Sequence, residues 1–437
     1  MHRQKTLLFL TLSFIFSLFI IFFAPLAHVI KPYLSFTNYL LGIDKSTSYL
    51  IMLGNDAEMR ANGGFAGSYA KLSLSTKSLE FSPEITFQDI YVPNGQLKGY
   101  VAPPAPIQEA FQHGTWQLAN ADWEPDFPTS STTLRWFFEK GGEINPDNLV
   151  ILNLTTIKKV LDIVGTFSVP EFDAQITPDN LYLFLQGKVE VGFFPGSTQK
   201  KDTLTAVGLA LKQKILALPL NKKLKIAQTI YLDLQNQNIV INSNNPDFQT
   251  FLEKNNFAGK LSSNTTDTYL LVETNLGANK ANAYVTRTTD HLISFADGQA
   301  SHSATIKFQN ASIESGPNPP FHYGGNYIVY LRFYIPENAQ NIIINTHPSV
   351  IPGSDPESIQ ITPLISPKFG LTELGFWQTI PVQGQTTLSL SYTIPTTPEN
   401  YSLTILKQHG MVSSPQTINI DGKTFSTPLT TDFFLSP

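Results

Sequence analysis

The pattern of apolar and polar residues divides the chain into three parts. An uncharged, mainly apolar run at residues 7–24 comes first, and no Lys, Arg, Asp or Glu follows it until Lys31. Strand-like and helix-like patterns then alternate over residues 45–257. In residues 266–437 short runs of alternating apolar and polar residues recur between Pro, Gly and Asn, without helical periodicity. We therefore predict one N-terminal transmembrane helix, an α/β domain and an all-β, sandwich-like domain.

The first run is long enough to cross a membrane. About 20 helical residues cover the roughly 30 Å hydrocarbon core of a bilayer, and Arg3 and Lys5 favour a cytoplasmic N-terminus. A cleaved signal peptide is the alternative, but Pro25 stands where cleavage after Ala27 requires a small residue. We predict that residues 1–31 form a cytoplasmic stub and a single-pass membrane anchor. The bulk of the chain would then be extracytoplasmic.

The two later parts differ in the elements that they predict. In residues 45–257 the predicted strands are 49–53, 68–74 and 149–152, and the predicted helices are 130–140, 155–164, 177–186, 201–218 and 222–234. In residues 266–437 the predicted strands include 269–273, 327–333, 387–393 and 401–405. The segment 255–266 is the best boundary between them.

Composition excludes several classes of function. The chain has 29 Lys and Arg against 34 Asp and Glu, a net charge of −5, so it lacks the basic face of a nucleic-acid-binding protein. It has no Cys, which excludes disulfides, Cys-ligated metals and thiol nucleophiles. His113 is the only histidine between residues 45 and 257, which argues against a zinc site or a Ser-His-Asp triad in the α/β part.

The most unusual string is Asn55–Ser68, directly after the first predicted strand. Its three glycines, in a loop at a strand end, would expose backbone N–H groups to an anion, and Arg60 would add a charged fork suited to phosphate. The P-loop pattern is not matched. A tight turn held by an ion pair of Arg60 with Asp56 or Glu58 explains the string equally well. The predicted ligand-binding residues in this string are Asn55, Glu58, Arg60, Gly63 and Gly64.

Three of the four tryptophans, Trp116, Trp123 and Trp136, lie among acidic residues. Aromatic faces beside carboxylates suit sugar rings, so Asp122 and Trp123 are predicted to contact a carbohydrate. Asp122 and Asp126 would also suit a glycoside hydrolase, for which the separation of the two carboxylates is diagnostic. The alternative is that the tryptophans are simply packed in the core.

A hard cation is the metal that this sequence could hold. Mg²⁺ needs only one or two carboxylates together with phosphate and water. Asp56, Glu58, Asp89 and Asp122 could supply them, although at any single position a solvated or salt-bridged surface carboxylate is favoured.

Several strings together resemble an uncharacterised bacterial envelope family, domain of unknown function 4012. They are Asn55–Ser68, Gln88-Asp89, Asn120–Pro128, Asp147–Gly165, Asn279–Arg287 and Ala296–Gly298. The resemblance implies a single-pass protein of the bacterial cytoplasmic membrane, with the bulk of the chain extracytoplasmic, and no particular activity.

More remotely, Gly54-x-Asp56, the strand end at Asp89 and the string Asp147–Gly165 resemble the LytR-CpsA-Psr family. Its members transfer glycopolymers from polyprenyl pyrophosphate carriers to the cell wall. The resemblance implies that Asp56 and Asp89 lie near Mg²⁺ and that Arg60 contacts a pyrophosphate. The sequence departs from that family where Gln88 precedes Asp89, and it contains no Arg-Ser-Asp string.

Two hypotheses follow from the sequence. The first is an envelope protein that binds, or transfers, a lipid-linked surface glycopolymer, with Mg²⁺ as the candidate cofactor. The second is a non-catalytic surface scaffold or interaction protein, supported by the scarcity of cationic, histidine and thiol side chains. Whether the chain is an enzyme is left open.

Overall fold

The computed structural model of the chain describes residues 36–43, 45–77, 80–81, 84–112, 114–190, 198–262, 265–313, 324–349 and 359–436. The predicted anchor, residues 1–31, lies outside this set, and so does His113. Among the described residues, no helix is both long enough and apolar enough to span a bilayer. The anchor and its orientation therefore stay predictions.

The first half of the described chain, residues 36–262, is built on a sheet with strand order β5-β2-β1-β6-β9. We call it the α/β half. β1 and β6 are parallel, while the pairs β1/β2, β2/β5 and β6/β9 are antiparallel. The strands of this half are β1 (Thr47–Arg60), β2 (Gly63–Leu74), β3 (Thr76–Lys77), β4 (Glu80–Phe81), β5 (Glu84–Asp89), β6 (Asn148–Asn153), β7 (Phe167–Val169), β8 (Ala174–Ile176) and β9 (Ile239–Ser243).

Helices cover both faces of this sheet. Tyr69 on β2 packs against Phe138 of α4, with ring centroids 5.1 Å apart. Because neighbouring residues of a strand point to opposite faces, Ala70 and its cross-strand partner Phe87 face the other way, where Phe87 contacts Gly208 of α7. The helices are α1 (Thr37–Leu40), α2 (Tyr91–Asn94), α3 (Ala105–Phe111), α4 (Phe127–Lys140), α5 (Leu154–Val164), α6 (Leu181–Glu190), α7 (Gln199–Leu216), α8 (Leu220–Gln235) and α9 (Pro246–Lys254).

The second half, residues 265–436, contains two sheets that share one apolar core, and we call it the β-rich half. One sheet has the order β16-β17-β13-β10-β19-β22 and the other β15-β14-β18-β12-β11-β20-β21. The strands are β10 (Asp267–Asn275), β11 (Val285–Ala296), β12 (Gln299–Asn310), β13 (Tyr327–Pro336), β14 (Gln340–Ser349), β15 (Ile359–Ile361), β16 (Leu364–Lys368), β17 (Leu371–Ile380), β18 (Gln385–Pro395), β19 (Leu403–Ile405), β20 (Gln416–Ile420), β21 (Lys423–Thr427) and β22 (Phe433–Leu435). The predicted order, α/β first and β-rich second, is confirmed.

One strand of the β-rich half is buried on both faces. Every residue of β10 is buried. Tyr269 and Leu271 belong to the core between the two sheets, whereas Leu270 and Val272 pack with Ala61 of the α/β half. The two halves therefore share a packed junction. The change of architecture falls between the end of α9 and the start of β10, and the division into separate domains at 45–257 and 266–437 stays a prediction.

Candidate functional site

The predicted glycine-rich loop is a β-hairpin. β1 continues past Asn55 to Arg60, a two-residue turn follows, and β2 begins at Gly63. Asn55 pairs with Phe65 and Met59 with Gly64, so the intervening residues of β1 form a bulge. The prediction of a loop at a strand end is wrong, because the chain keeps its strand pairing through the glycines instead of opening into a nest.

The hairpin glycines allow protein segments to approach one another. A Cβ on Gly64 would overlap the backbone of Asn55, and one on Gly63 would lie 2.7 Å from the Asn153 Oδ1 atom. A Cβ on Gly410, from the β-rich half, would overlap the Cα of Gly63. The Gly64 N–H group is also engaged, since it donates to Asn153 Oδ1 at 2.8 Å. Close packing therefore accounts for these glycines without a bound phosphate.

The Arg60 side chain is enclosed by the protein and is only 4% exposed. Its guanidinium forms an ion pair with Glu58 at 3.0 Å and donates to the Asn275 carbonyl of β10 at 2.5 Å. The Phe65 ring centroid lies 4.9 Å from the Cζ atom of the Arg60 guanidinium. Glu58 is in turn 3.6 Å from the Lys280 ammonium of the β-rich half. Of the two partners considered from the sequence, Glu58 is the one observed.

The remaining predicted ligands have separate partners. Asp56 accepts hydrogen bonds from the backbone N–H and the hydroxyl of Thr155, at the start of α5, and burial raises the pKa of its carboxyl. Asp89 is paired with the Lys200 ammonium at 3.3 Å. Asn55 donates to the Tyr182 hydroxyl at 3.2 Å.

This donor set does not fit Mg²⁺. A hard dication requires free carboxylate oxygens, but Asp56 is committed to the α5 terminus and Asp89 faces an ammonium. In the part of the chain that the structure describes, no group of three or more Asp, Glu or His side chains is arranged to hold a metal.

Asp122 belongs to a buried hydrogen-bond network that links the halves. Its carboxylate accepts from Asn62 Nδ2 at 2.6 Å and from the Ser130 hydroxyl at 3.0 Å, and burial raises its pKa. The Oδ1 atom of Asn62 accepts from His409 Nδ1 at 2.9 Å. Burial, followed by the nearby charge of Lys407, lowers the pKa of His409 to about 3, so the imidazole is neutral.

Trp123 is a junction residue and is not available to a sugar. It is 5% exposed, and the guanidinium carbon of Arg332 lies 4.2 Å from its ring centroid. Arg332 also donates to the Trp123 carbonyl at 2.8 Å. Asp126 caps α4 and accepts from the Leu261 N–H, so it does not form a glycosidase pair with Asp122. Trp116 and Trp136, in contrast, line a cavity of about 610 Å³.

Sequence reasoning missed the residues that complete this arrangement from a distance. Gln408 donates to the carbonyls of Arg60 and Glu273 at 2.9 and 2.8 Å, and Asn282 accepts from the Met59 N–H at 3.1 Å. Asn282 and Lys280 belong to the string NKANAYVTR, residues 279–287, which was related above only to a family. That resemblance is the one sequence feature that indicated these two residues. His409 lies 347 positions from Asn62, so spacing could not relate the two.

The arrangement is therefore a buried polar junction. The hairpin of β1 and β2 inserts its turn between the halves, and its charged and amide groups are satisfied by side chains and carbonyls of both. Such a network, when its members are paired, favours one relative placement of the elements that it connects.

Several solved structures show remote likeness to this chain. TagV from B. subtilis aligns with 14% identity over 49% of this chain and 81% of its own, with a TM-score of 0.30. The transcriptional regulator yvhJ from Bacillus subtilis aligns with 12% identity over 51% of this chain and 84% of its own, with a TM-score of 0.27. Lin1025 from Listeria innocua aligns with 13% identity over 48% of this chain and 77% of its own, with a TM-score of 0.26.

A structure from Legionella pneumophila aligns at 9% identity with a TM-score of 0.21, over 31% of this chain and half of its own length. We draw no functional conclusion from likenesses of this size. Among curated proteins, none matches the chain significantly.

The family comparison is more direct. Residues 44–189 match the model of the family DUF4012, whose description is "Protein of unknown function". This segment contains the β1/β2 hairpin, Asp89, Asp122 and the α4 and α5 helices. The resemblance to DUF4012 seen in the sequence is thus confirmed over residues 44–189.

Proposed function

We propose that this chain is an anchored, extracytoplasmic protein of the bacterial cell envelope. On this proposal it is a non-catalytic surface scaffold or interaction protein that holds a two-part body outside the membrane, and the β1/β2 hairpin joins the two parts instead of binding or transferring a lipid-linked glycopolymer. The match to DUF4012 and the apolar run at residues 7–24 support the envelope location. The environment of Arg60 supports a structural role of the hairpin over phosphate binding.

A phosphate-binding arginine must present its guanidinium to the ligand. The Arg60 guanidinium is committed to Glu58 and to the Asn275 carbonyl, within a hairpin packed against the β-rich half. Its Nε atom has no hydrogen-bond partner among the described residues, but that atom is buried as well. Freeing the side chain for a carrier lipid would leave the buried Glu58 with Lys280 as its one remaining ion-pair partner among the described residues. The geometry thus favours a structural role for the hairpin.

Native mass spectrometry of the full-length chain, purified in detergent from bacterial membranes, tests this role. We expect no co-purified polyprenyl phosphate in the wild type. Arg60→Ala should lower the free energy of unfolding by roughly 3–5 kcal/mol, the usual cost of removing one partner of a buried ion pair. Arg287→Ala, which breaks the buried Arg287–Glu273 ion pair of the β-rich half, serves as the matched control for the loss of a paired charge.

The opposite result is equally clear. A carrier lipid that co-purifies with the wild type and is lost in Arg60→Ala, while the melting temperature is unchanged, would reject the proposal. It would restore the hypothesis of a polyprenyl-phosphate-linked glycopolymer as the ligand.

The proposed topology has its own test, because the chain contains no Cys. A single Cys introduced at Lys254, an exposed residue at the end of α9, should react with a membrane-impermeant maleimide in intact cells. A single Cys at Gln4 should react only after lysis. Labelling of both in intact cells, or of neither, would contradict a cytoplasmic N-terminus followed by an extracytoplasmic body.

A further inference from the structure

A second site is present in the α/β half, away from the hairpin. It is the cavity of about 610 Å³ lined by Trp116, Trp136, Lys98, Lys140, Gln96 and Gln117, among others. Its volume lies within the roughly 300–1,000 Å³ of small-molecule sites in proteins. Of these side chains, Trp116 also packs in the apolar cluster that contains Trp123 of the junction.

The walls of this cavity are fixed by packing and by backbone hydrogen bonds. A Cβ on Gly141 would lie 2.7 Å from Pro93, so the end of α4 is tightly packed against α2. Asn94 accepts from the Leu118 N–H at 2.8 Å. The backbone N–H of Trp116 donates to the Val101 carbonyl at 2.7 Å. A ligand would therefore meet a preformed site.

Both indoles are held in place by one buried ring. Phe137 is 1% exposed and makes edge contacts with Trp116 and Trp136, at centroid distances of 5.5 and 5.0 Å and interplanar angles of 79° and 88°. The Trp116 indole is fixed further, because its Nε1 donates to the Asn120 carbonyl at 3.0 Å. Trp136 is nevertheless 42% exposed. An oriented, partly exposed indole is suited to stack on the apolar face of a sugar ring.

The charged groups of the cavity are cationic. Lys98 and Lys140 are exposed, and neither forms an ion pair within the described parts of the chain. No Asp or Glu occurs among the described residues that line the cavity. The Gln96 and Gln117 amides add neutral donors and acceptors suited to hydroxyl groups. In a chain with a net charge of −5, this is a local site for an anion.

We propose that this cavity binds an acidic sugar, that is, a sugar residue bearing a carboxylate or a phosphate. One or both indoles stack on the ring, while Lys98 and Lys140 pair with the anionic group. Sugar contact is thus proposed at Trp116 and Trp136, and not at Asp122 and Trp123, where the sequence predicted it. Because the lining has cations in place of carboxylates, the site is suited to binding and not to acid-base hydrolysis. The proposal does not depend on the role of the junction.

Calorimetric titration of the full-length chain in detergent tests this site with three defined probes. They are tetragalacturonate, 6-phosphorylated maltotetraose and neutral maltotetraose. We expect one or both acidic probes to bind at least about tenfold more tightly than the neutral one. The acidic probe that binds more tightly shows whether the site prefers a carboxylate or a phosphate. The affinity should fall when the salt concentration is raised, because exposed charge pairs are screened.

Variants make the test specific. Lys98→Gln combined with Lys140→Gln should abolish the preference for the acidic probe, and Trp136→Ala should weaken binding of that probe about tenfold. All of these side chains are exposed, so the melting temperature should be retained. Lys201→Gln, an exposed lysine on α7, is the matched control and should bind as the wild type does. Equal binding of acidic and neutral probes, unchanged binding by the variants, or no binding of any probe would overturn the proposal.

Discussion

Gly410 illustrates how one residue sets the distance between the two halves. Its φ of +73° favours glycine, and a Cβ there would overlap Gly63 and lie 2.6 Å from the Asn153 Nδ2 atom. Gly422 has a similar φ of +84°, but among the described residues no atom other than those of its chain neighbours lies within 4 Å of the corresponding Cβ position. An alanine would therefore be strained at both positions and crowded only at Gly410.

We therefore predict that Gly410→Ala destabilises the chain more than Gly422→Ala. The excess should be about 1–3 kcal/mol, the usual cost of overpacking a closely packed region. Chemical denaturation of both variants measures it. Equal losses would mean that Gly63 and Asn153 can move away from an added methyl group, and the junction would then be looser than its contacts indicate.

At the scale of an element, α4 begins at a residue with two partners. One oxygen of Asp126 accepts from the Thr129 N–H at 3.0 Å as a helix cap, and the other accepts from the Leu261 N–H at 2.9 Å. Asn245 caps α9 through the N–H groups of Asp247 and Phe248. Asp126→Ala should cost roughly 2–4 kcal/mol, because a cap is lost and a buried N–H is left unpaired. Asn245→Ala should cost only about 0.5–2 kcal/mol, and denaturation of both variants compares them.

The elements also show how far sequence could lead. Capping and breaker residues placed the ends of α4 and α5 well, since Gly141 and Gly165 follow their last turns. The same rules failed at Gly63–Gly67, because glycine is uncommon within strands and usually indicates a loop. Gly63 is required by the approach of Gly410 and Asn153, which are distant in sequence. Local pattern therefore predicted the elements, while long-range contacts decided the site.

At the scale of the whole molecule, the junction combines an apolar patch with buried ionisable groups. Val272 and Leu270 pack against the hairpin turn, and His409 and Lys407 enter from the same segment of the β-rich half. Burial lowers the pKa of Lys407 to about 7. Because burying ionisable groups disfavours their charged forms, the contact between the halves should be sensitive to acid.

His409 provides the test. Its pKa is lowered to about 3 in the folded chain, against 6.5 for an ordinary histidine, so below pH 6.5 the unfolded chain binds the extra proton more readily. The stability associated with His409 is therefore complete above about pH 6.5 and is lost as the pH falls towards 3. In His409→Asn the Nδ2 atom can replace Nδ1 as the donor to Asn62, but the side chain cannot titrate.

The free energies of unfolding of wild type and His409→Asn, measured between pH 8 and pH 4, should differ by a constant above pH 7. At lower pH the wild type should lose stability relative to the variant by up to about 1.4 kcal/mol per pH unit, the limit for one proton. Parallel curves across the whole range would mean that folding does not lower the pKa of His409, and therefore that water reaches its imidazole in the folded chain. A growing difference would place the acid-sensitive contact at the Asn62 turn, where the hairpin joins the halves.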